Sequence, residues 1–198
     1  MYTFDDGVFA VKTARSVIES FVLRSSFSAP PPNEKWIAKS GVFVTILTYP
    51  EKELRGCIGI PEPMMPLIDA LKEAAQSATR DPRFPPLEKS ELSKIIIEVS
   101  ILTPPEIVKV KSAKDYPNEI EIGRDGLIAE HGWNRGLLLP QVPVEWKWNA
   151  GEFLSETCMK AGLAPDAWFE KGFKLYKFQA EIFGEKEPNG KVERKEIQ

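Results

Sequence analysis

GVFVTILTYPEKELRGCIGI, residues 41 to 60, reads as two strands joined by a tight turn. Residues 41–49 are β-branched and apolar on both faces, the pattern of a strand buried on both sides. PEKE supplies the turn, and LRGCIGI returns as the partner strand. Period two puts Arg55, Cys57 and Gly59 on one face of it, with Leu54, Gly56, Ile58 and Ile60 on the other. Glycine inside a strand marks a bulge or the close approach of another backbone.

Working outward, residues 8–23 carry Val8, Val11, Ala14, Ile18, Phe21 and Val22 at helical spacing, with Asp5 or Asp6 as the expected N-cap. SAPPPNEK, residues 28–35, is expected to be an extended linker. Pro63 and Pro66 lead into a helix with Leu67, Leu71, Ala74, Ala75 and Ala78 as one apolar stripe and Pro66 in its first turn. DPRFPPL, residues 81–87, ends it, because residues before proline are pushed toward extended geometry. KIIIEVSIL, residues 94–102, is a core strand stopped by Pro104 and Pro105. EIEIG, LIAEH and LLLPQV read as short strands around GRDG and GWNRG turns, Asp125-Gly126 being a hairpin signal. Asn149, with Glu152 three residues on, caps a helix that ends at Gly162, and Pro165 starts a short helical piece.

FKLYKFQAEIF, residues 173–183, alternates as one strand with Tyr176, Phe178, Ala180 and Ile182 facing the core. The charged stretch 185–198 reads as a loosely held tail behind a single domain, residues 6–184. Strands joined mostly by tight turns favour an α+β fold with a mainly antiparallel sheet flanked by helices.

The 198 residues suffice for one full core, or for a main domain with a smaller lobe. A net charge of −3 argues against a dedicated nucleic-acid binder, although Arg55, Arg80 and Arg83 lie close in sequence. No apolar run approaches the roughly 20 residues that cross a bilayer. The N-terminus lacks a signal-peptide core, so a cytoplasmic protein is expected. Two cysteines without CxxC spacing exclude a disulfide framework and a cysteine-built zinc site. The single histidine, His131, excludes a site needing several from one chain. Few Gln and many Lys, Glu and Pro lean toward a heat-adapted source.

Cys57 is the candidate nucleophile. A reactive thiol needs a lowered pKa, which a guanidinium or a helix N-terminus supplies; Arg55 shares its face, and a helix opens near Pro66. Cys57 fits more readily as a small buried hydrophobe, which free cysteine commonly is. Arg55 beside Gly56 and Gly59 suits an anion held by guanidinium and backbone N–H groups, or an ion pair with Asp81 or Glu98. The spacing is not that of a P-loop. Asp81 and Arg83 flank Pro82 in a rigid loop, where a local salt bridge is the simplest role. Gln141 and Glu145, beside prolines and a tryptophan, either line a pocket or cover a core edge. His131 reads as a solvated turn residue and Cys158 as core.

LRGCIG at 54–59, ATRDPRFPPL at 78–87, EVSIL at 98–102, GLLLPQVPVEW at 136–146, FLSETCMKAGL at 153–163 and YKFQAEIF at 176–183 together resemble one family. It is the AMME family, named for the chromosomal region of Alport syndrome, mental retardation, midface hypoplasia and elliptocytosis. The resemblance runs in order from about Asp6 to about Gly184. It implies an intracellular α+β protein with a larger and a smaller lobe and no settled molecular function, and it assigns no cofactor. It points to residues 54–59, Asp81, Pro82, Arg83, Phe84, Gln141 and Glu145. It also implies partners, since the domain occurs beside or fused to Memo-like and radical-SAM proteins. Three readings follow. One is an enzyme or substrate-handling component for a small anionic molecule, with Arg55 as anchor and Cys57 as nucleophile or thiol donor. The second is a non-catalytic adaptor, and the third a nucleic-acid-related role, disfavoured by the acidic chain.

Overall fold

A computed structural model describes residues 2–27 and 34–195, so most of the expected linker at 28–35 lies outside the described residues. The chain divides into two compact units. The first runs to Leu102 and resumes at Glu181; the second is Thr103–Ala180.

In the first unit, α1 (Phe4–Leu23) starts one turn earlier than the apolar spacing predicts. Its N-cap is Thr3, not Asp5 or Asp6. The Asp6 N–H donates to the Thr3 hydroxyl at 3.2 Å, and the Asp6 carboxylate accepts from the Thr3 N–H at 2.7 Å. Asp6 is thus the reciprocal member of a capping box.

After the short α2 (Glu34–Ile37), β1 (Val42–Thr48) and β2 (Leu54–Ile60) pair antiparallel, with Val44 opposite Ile58 and Thr45 opposite Cys57. The helix α3 (Leu67–Ala78) follows, with Pro66 as its N-cap rather than a first-turn residue, and then β3 (Ile95–Leu102). Val42, Val44 and Ile46 of β1 and Ile95, Ile97, Val99 and Ile101 of β3 are buried in one core with the α3 stripe and with Ala10, Val11, Ala14 and Ile18 of α1. On β1 the other face, Phe43, Thr45 and Leu47, is half-exposed, so this strand is not buried on both sides as its composition suggested.

The second unit carries β4 (Glu106–Ile107), β5 (Gly126–His131), β6 (Asn134–Leu138), α4 (Gln141–Glu145), α5 (Ala150–Lys160) and β7 (Lys174–Phe178), its sheet ordered β4-β7-β5-β6. Leu127, Ala129 and Leu175 pack with Phe153, Leu154 and Cys158 of α5. EIEIG is not a strand: a 3₁₀ helix, Ala113–Glu119, runs into a turn there. That turn is closed by buried Asp125, whose carboxylate accepts from the Glu121 N–H at 3.0 Å. LLLPQV likewise splits, because Pro140 at φ −61° ends the strand and opens α4.

Residues 173–183 form two strands rather than one. They part at Gln179 into β7 of the second sheet and β8 (Ala180–Glu185) of the first. The first sheet then closes with β9 (Val192–Lys195), in the order β2-β1-β3-β8-β9. The expected loose tail from 185 is therefore sheet in part, with Phe183 opposite Arg194. Its charges are those of an edge strand: Arg194 pairs with Glu181 at 2.6 Å and Lys195 with Glu98 at 2.6 Å.

One buried ion pair fastens α1 to β8. The Arg15 and Glu185 side chains are 5% and 4% exposed. Arg15 Nε donates to Glu185 Oε1 at 3.1 Å, Nη2 to Glu185 Oε2 and to the Ile95 carbonyl, and Nη1 to the Leu92 carbonyl. Glu185 also accepts from the Ile97 N–H at 3.0 Å. Removing one partner leaves the other charge buried, at a cost of about 3–5 kcal/mol. Arg15→Ala and Glu185→Ala are each expected to lower stability by that amount in urea unfolding, and the double variant by less than the sum. Strict additivity would show that the pair is not coupled.

Candidate functional site

The C-terminal end of α3 and the loop behind it fold against β2, which is the edge strand of its sheet. A Cβ at Gly56 would run into the Ala78 carbonyl oxygen, so glycine is what lets the helix end settle on the strand. On the opposite face a Cβ at Gly59 would strike the Phe43 ring, which covers the glycine from the neighbouring strand.

This approach delivers Asp81 to the sheet edge. Its carboxylate, 1% exposed, accepts the Cys57 N–H at 2.8 Å through Oδ2 and the Arg83 N–H at 3.0 Å through Oδ1. The Arg83 guanidinium grips both oxygens, Nε to Oδ1 at 3.0 Å and Nη2 to Oδ2 at 2.6 Å. Arg83 Nη2 also donates to the Cys57 carbonyl at 3.3 Å. A carboxylate and a guanidinium thus take the outward N–H and C=O of Cys57, as an adjacent strand would. The bonds from the Arg83 side chain, outweighing burial, hold Asp81 well below the usual carboxylate range.

Arg55 is held as firmly. It pairs with Glu91 of the 3₁₀ helix Lys89–Lys94, Nε to Oε1 at 2.7 Å and Nη2 to Oε2 at 3.0 Å. Its partner is therefore neither Asp81 nor Glu98. Burial pushes Glu91 up, but the Arg55 bond and the Glu88 N–H carry it below its ordinary value. The Phe84 ring lies between the two arginines, 5.9 Å from Arg55 Cζ and 5.7 Å from Arg83 Cζ.

With its N–H and C=O turned outward, Cys57 meets Thr45 as a non-hydrogen-bonded pair, the arrangement that brings cross-strand side chains closest. The Thr45 hydroxyl donates to Cys57 Sγ at 3.2 Å. Thr45 in turn faces Glu98 on β3, and Glu98 takes Lys195 of β9. The side-chain-free Gly184 lies between Lys195 and Glu98 and leaves room for that reach. A polar row of thiol, hydroxyl, carboxylate and ammonium thus crosses the sheet. Burial pushes the Cys57 thiol above its ordinary value, and the Thr45 hydroxyl and Arg83 charge recover only part of it. The thiol is protonated at neutral pH.

The first unit thus gathers Arg55, Gly56, Cys57, Gly59, Asp81 and Arg83. Gln141 and Glu145 open and close α4 in the second unit. Gln141 Oε1 is buried and accepts no hydrogen bond among the described residues, while Glu145 is exposed. His131 ends β5, its Nδ1 3.4 Å from Glu170, and Cys158 is buried with its thiol pushed up to about 11. Sequence reasoning missed Thr45, Glu91 and Lys195. Glu98 had a signal, as the single charge in the apolar run of β3. Among the described residues, no three His, Cys, Asp or Glu side chains converge as a metal site requires.

Two outcomes follow. Gly56→Ala is expected to destabilise by about 1–3 kcal/mol, since backbone blocks its Cβ. Gly59→Ala is expected to cost less, because the half-buried Phe43 ring can swing aside; thermal melts that reverse this order would remove the explanation. Asp81 has a folded pKa below its unfolded one, so it stabilises the fold fully above about pH 4 and loses this as pH falls toward the folded value. Asp81→Asn is therefore expected to lose stability less steeply than the parent below about pH 4. Parallel acid limbs would show that the carboxylate charge is immaterial.

The chain matches the AMMECR1 family model over residues 11–183. It is 54% identical over 198 residues to protein MJ0810 of Methanocaldococcus jannaschii, a match covering 100% of this chain and 98% of that protein. It is 50% identical over 206 residues to a protein of Thermococcus onnurineus, covering 100% of both. The crystal structure of uncharacterized protein PH0010 from Pyrococcus horikoshii matches with a TM-score of 0.82 at 46% identity, covering 96% of this chain and 97% of that one. The α+β fold with its paired antiparallel strands agrees with these matches, and the chain belongs to the AMMECR1 family.

Proposed function

We propose that the chain is a non-catalytic recognition component, and that the braced β2 edge with its DPRFPP loop is a surface it offers to partners. The observation that carries this reading is the pairing of every ionised group in the motif. Arg55 is neutralised by Glu91, Arg83 by Asp81 and Glu98 by Lys195. A small anion would meet two guanidiniums whose charge is already neutralised by bidentate carboxylates. A rigid, charge-balanced face suits a protein partner better, because little ordering entropy is left to lose on binding. Pro82, Pro85 and Pro86 are exposed and fix the loop, and the Arg83 side chain is 56% exposed. Memo-like and radical-SAM proteins are the partners this reading takes.

Thiol chemistry on a small anion is the second reading. Its support is the position of Cys57, half-exposed with the Thr45 hydroxyl directed at its sulfur.

Alkylation rates against pH, followed by mass spectrometry so that each cysteine is read separately, divide the two. Cys57 is expected to react more slowly than a free thiol at pH 7 and to reach half-maximal rate above about pH 8.5, the free-thiol value. A faster reaction, with a lower midpoint, would favour the enzyme. In pull-downs with the two partner proteins, Phe84→Ala is expected to weaken binding about tenfold or more, the cost of an aromatic anchor. Undiminished binding by a folded Phe84→Ala would move the partner surface elsewhere.

A further inference from the structure

Four of the five tryptophans belong to the second unit, and none of them is fully buried. Two of them wall a groove of about 560 Å³ along α5. The outward stripe Glu152, Ser155, Glu156 and Met159, at helical spacing, lines it together with Trp148 and Trp168. Each wall continues outward as a second aromatic ring. Trp146, 65% exposed, stacks on Trp148 with ring centroids 6.1 Å apart, and Phe169, 54% exposed, lies 4.6 Å from Trp168. Both residues are tied through the main chain: the Trp148 backbone N–H donates to the Pro143 carbonyl at 2.9 Å, and the Trp168 backbone N–H is directed at the buried Cys158 thiol.

The charge of the groove has one sign. Glu152 and Glu156 line it, and no lysine or arginine does. Glu152 spends one oxygen on the Asn149 N–H, whereas Glu156 forms no salt bridge among the described residues. Within the first turn of α5 the N–H groups of Gly151 and Glu152 are taken by Asn149 Oδ1. Indole faces attract cations, and a carboxylate between two of them adds a charge-assisted hydrogen bond.

We propose that this groove binds a basic segment of a partner protein, laying an arginine or lysine side chain between Trp148 and Trp168 against Glu156. A protein segment fits better than a free small cation. The stripe runs about 10 Å along the helix, and the aromatic rim extends past the groove on both sides, in the tryptophan- and methionine-rich manner of an interface core. The groove is built by the second unit and the β2 edge by the first, and the assignment stands or falls independently of the function proposed above.

The test titrates the whole chain with the acetylated, amidated peptide Gly-Arg-Gly-Arg-Gly, following tryptophan fluorescence and calorimetry. Parallel titrations use the Glu-for-Arg peptide and free arginine amide. The expected result is saturable binding of the arginine peptide alone, weakened by added salt. Glu156→Gln, a half-exposed change that spares the fold, is expected to weaken it about fivefold, and Trp168→Phe to weaken it in the same direction. No binding at millimolar peptide, equal binding of the glutamate peptide, or a Glu156→Gln variant as tight as the parent would each overturn the proposal. Arginine amide binding as tightly as the peptide would also overturn it, by making the groove a small-cation site.

Discussion

The bond from the Cys57 N–H to the Asp81 carboxylate is the constraint on which the motif depends. An edge strand leaves a row of unpaired N–H and C=O groups, which invites pairing with another chain. Here the edge is met at Cys57 by side chains instead of a further strand. For Asp81 to reach it, α3 must end almost on top of β2, which explains Gly56 and the small residues Ala74, Ala75 and Ala78 on the buried stripe. For the buried carboxylate to stay ionised it needs a cation, which Arg83 supplies two residues on. LRGCIG and DPRF are one device, written in two places.

Much of this was legible in the sequence, wherever the cause was local. Period two placed Arg55 and Cys57 on one face and Gly56 on the other, and helical spacing named five of the seven buried residues of α3, leaving out Ile68 and Ala70. What escaped was the choice of partner. That Arg55 meets Glu91 depends on the path of a 3₁₀ turn more than thirty residues away, and no spacing rule carries that information. The state of the thiol escaped for a related reason: a neighbouring arginine suggested activation, but burial and the carboxylates Asp81 and Glu98 outweigh it. Alternation misled at 173–183, where a run of suitable period spans two sheets, and charge misled at 192–195, where it marks an edge strand. Buried Arg15 gave no sign at all, lying amid helical residues of ordinary polarity.

The charged side chains work in networks more than in isolated pairs. Arg15 joins Glu185 and Glu19, and Glu130 holds both Arg135 and Lys174. The ionic desolvation penalty falls as temperature rises, so such networks gain in relative worth in heat. Relatives in Pyrococcus and Thermococcus fit the lean in composition toward Lys and Glu.

The first unit is discontinuous in the chain, and this bears on how it is made. Phe183, packed against Gly7, and Glu185, partner of Arg15, leave the ribosome after the whole of the second unit. Domains tend to fold as they emerge, yet a nascent chain that has reached Ala180 holds every residue of the continuous second unit and a first unit without β8 and β9. Until Glu185 arrives, burying Arg15 would strand its charge. The N-terminal half therefore waits on residues translated after the whole inserted unit, and the inserted unit is the one free to fold first.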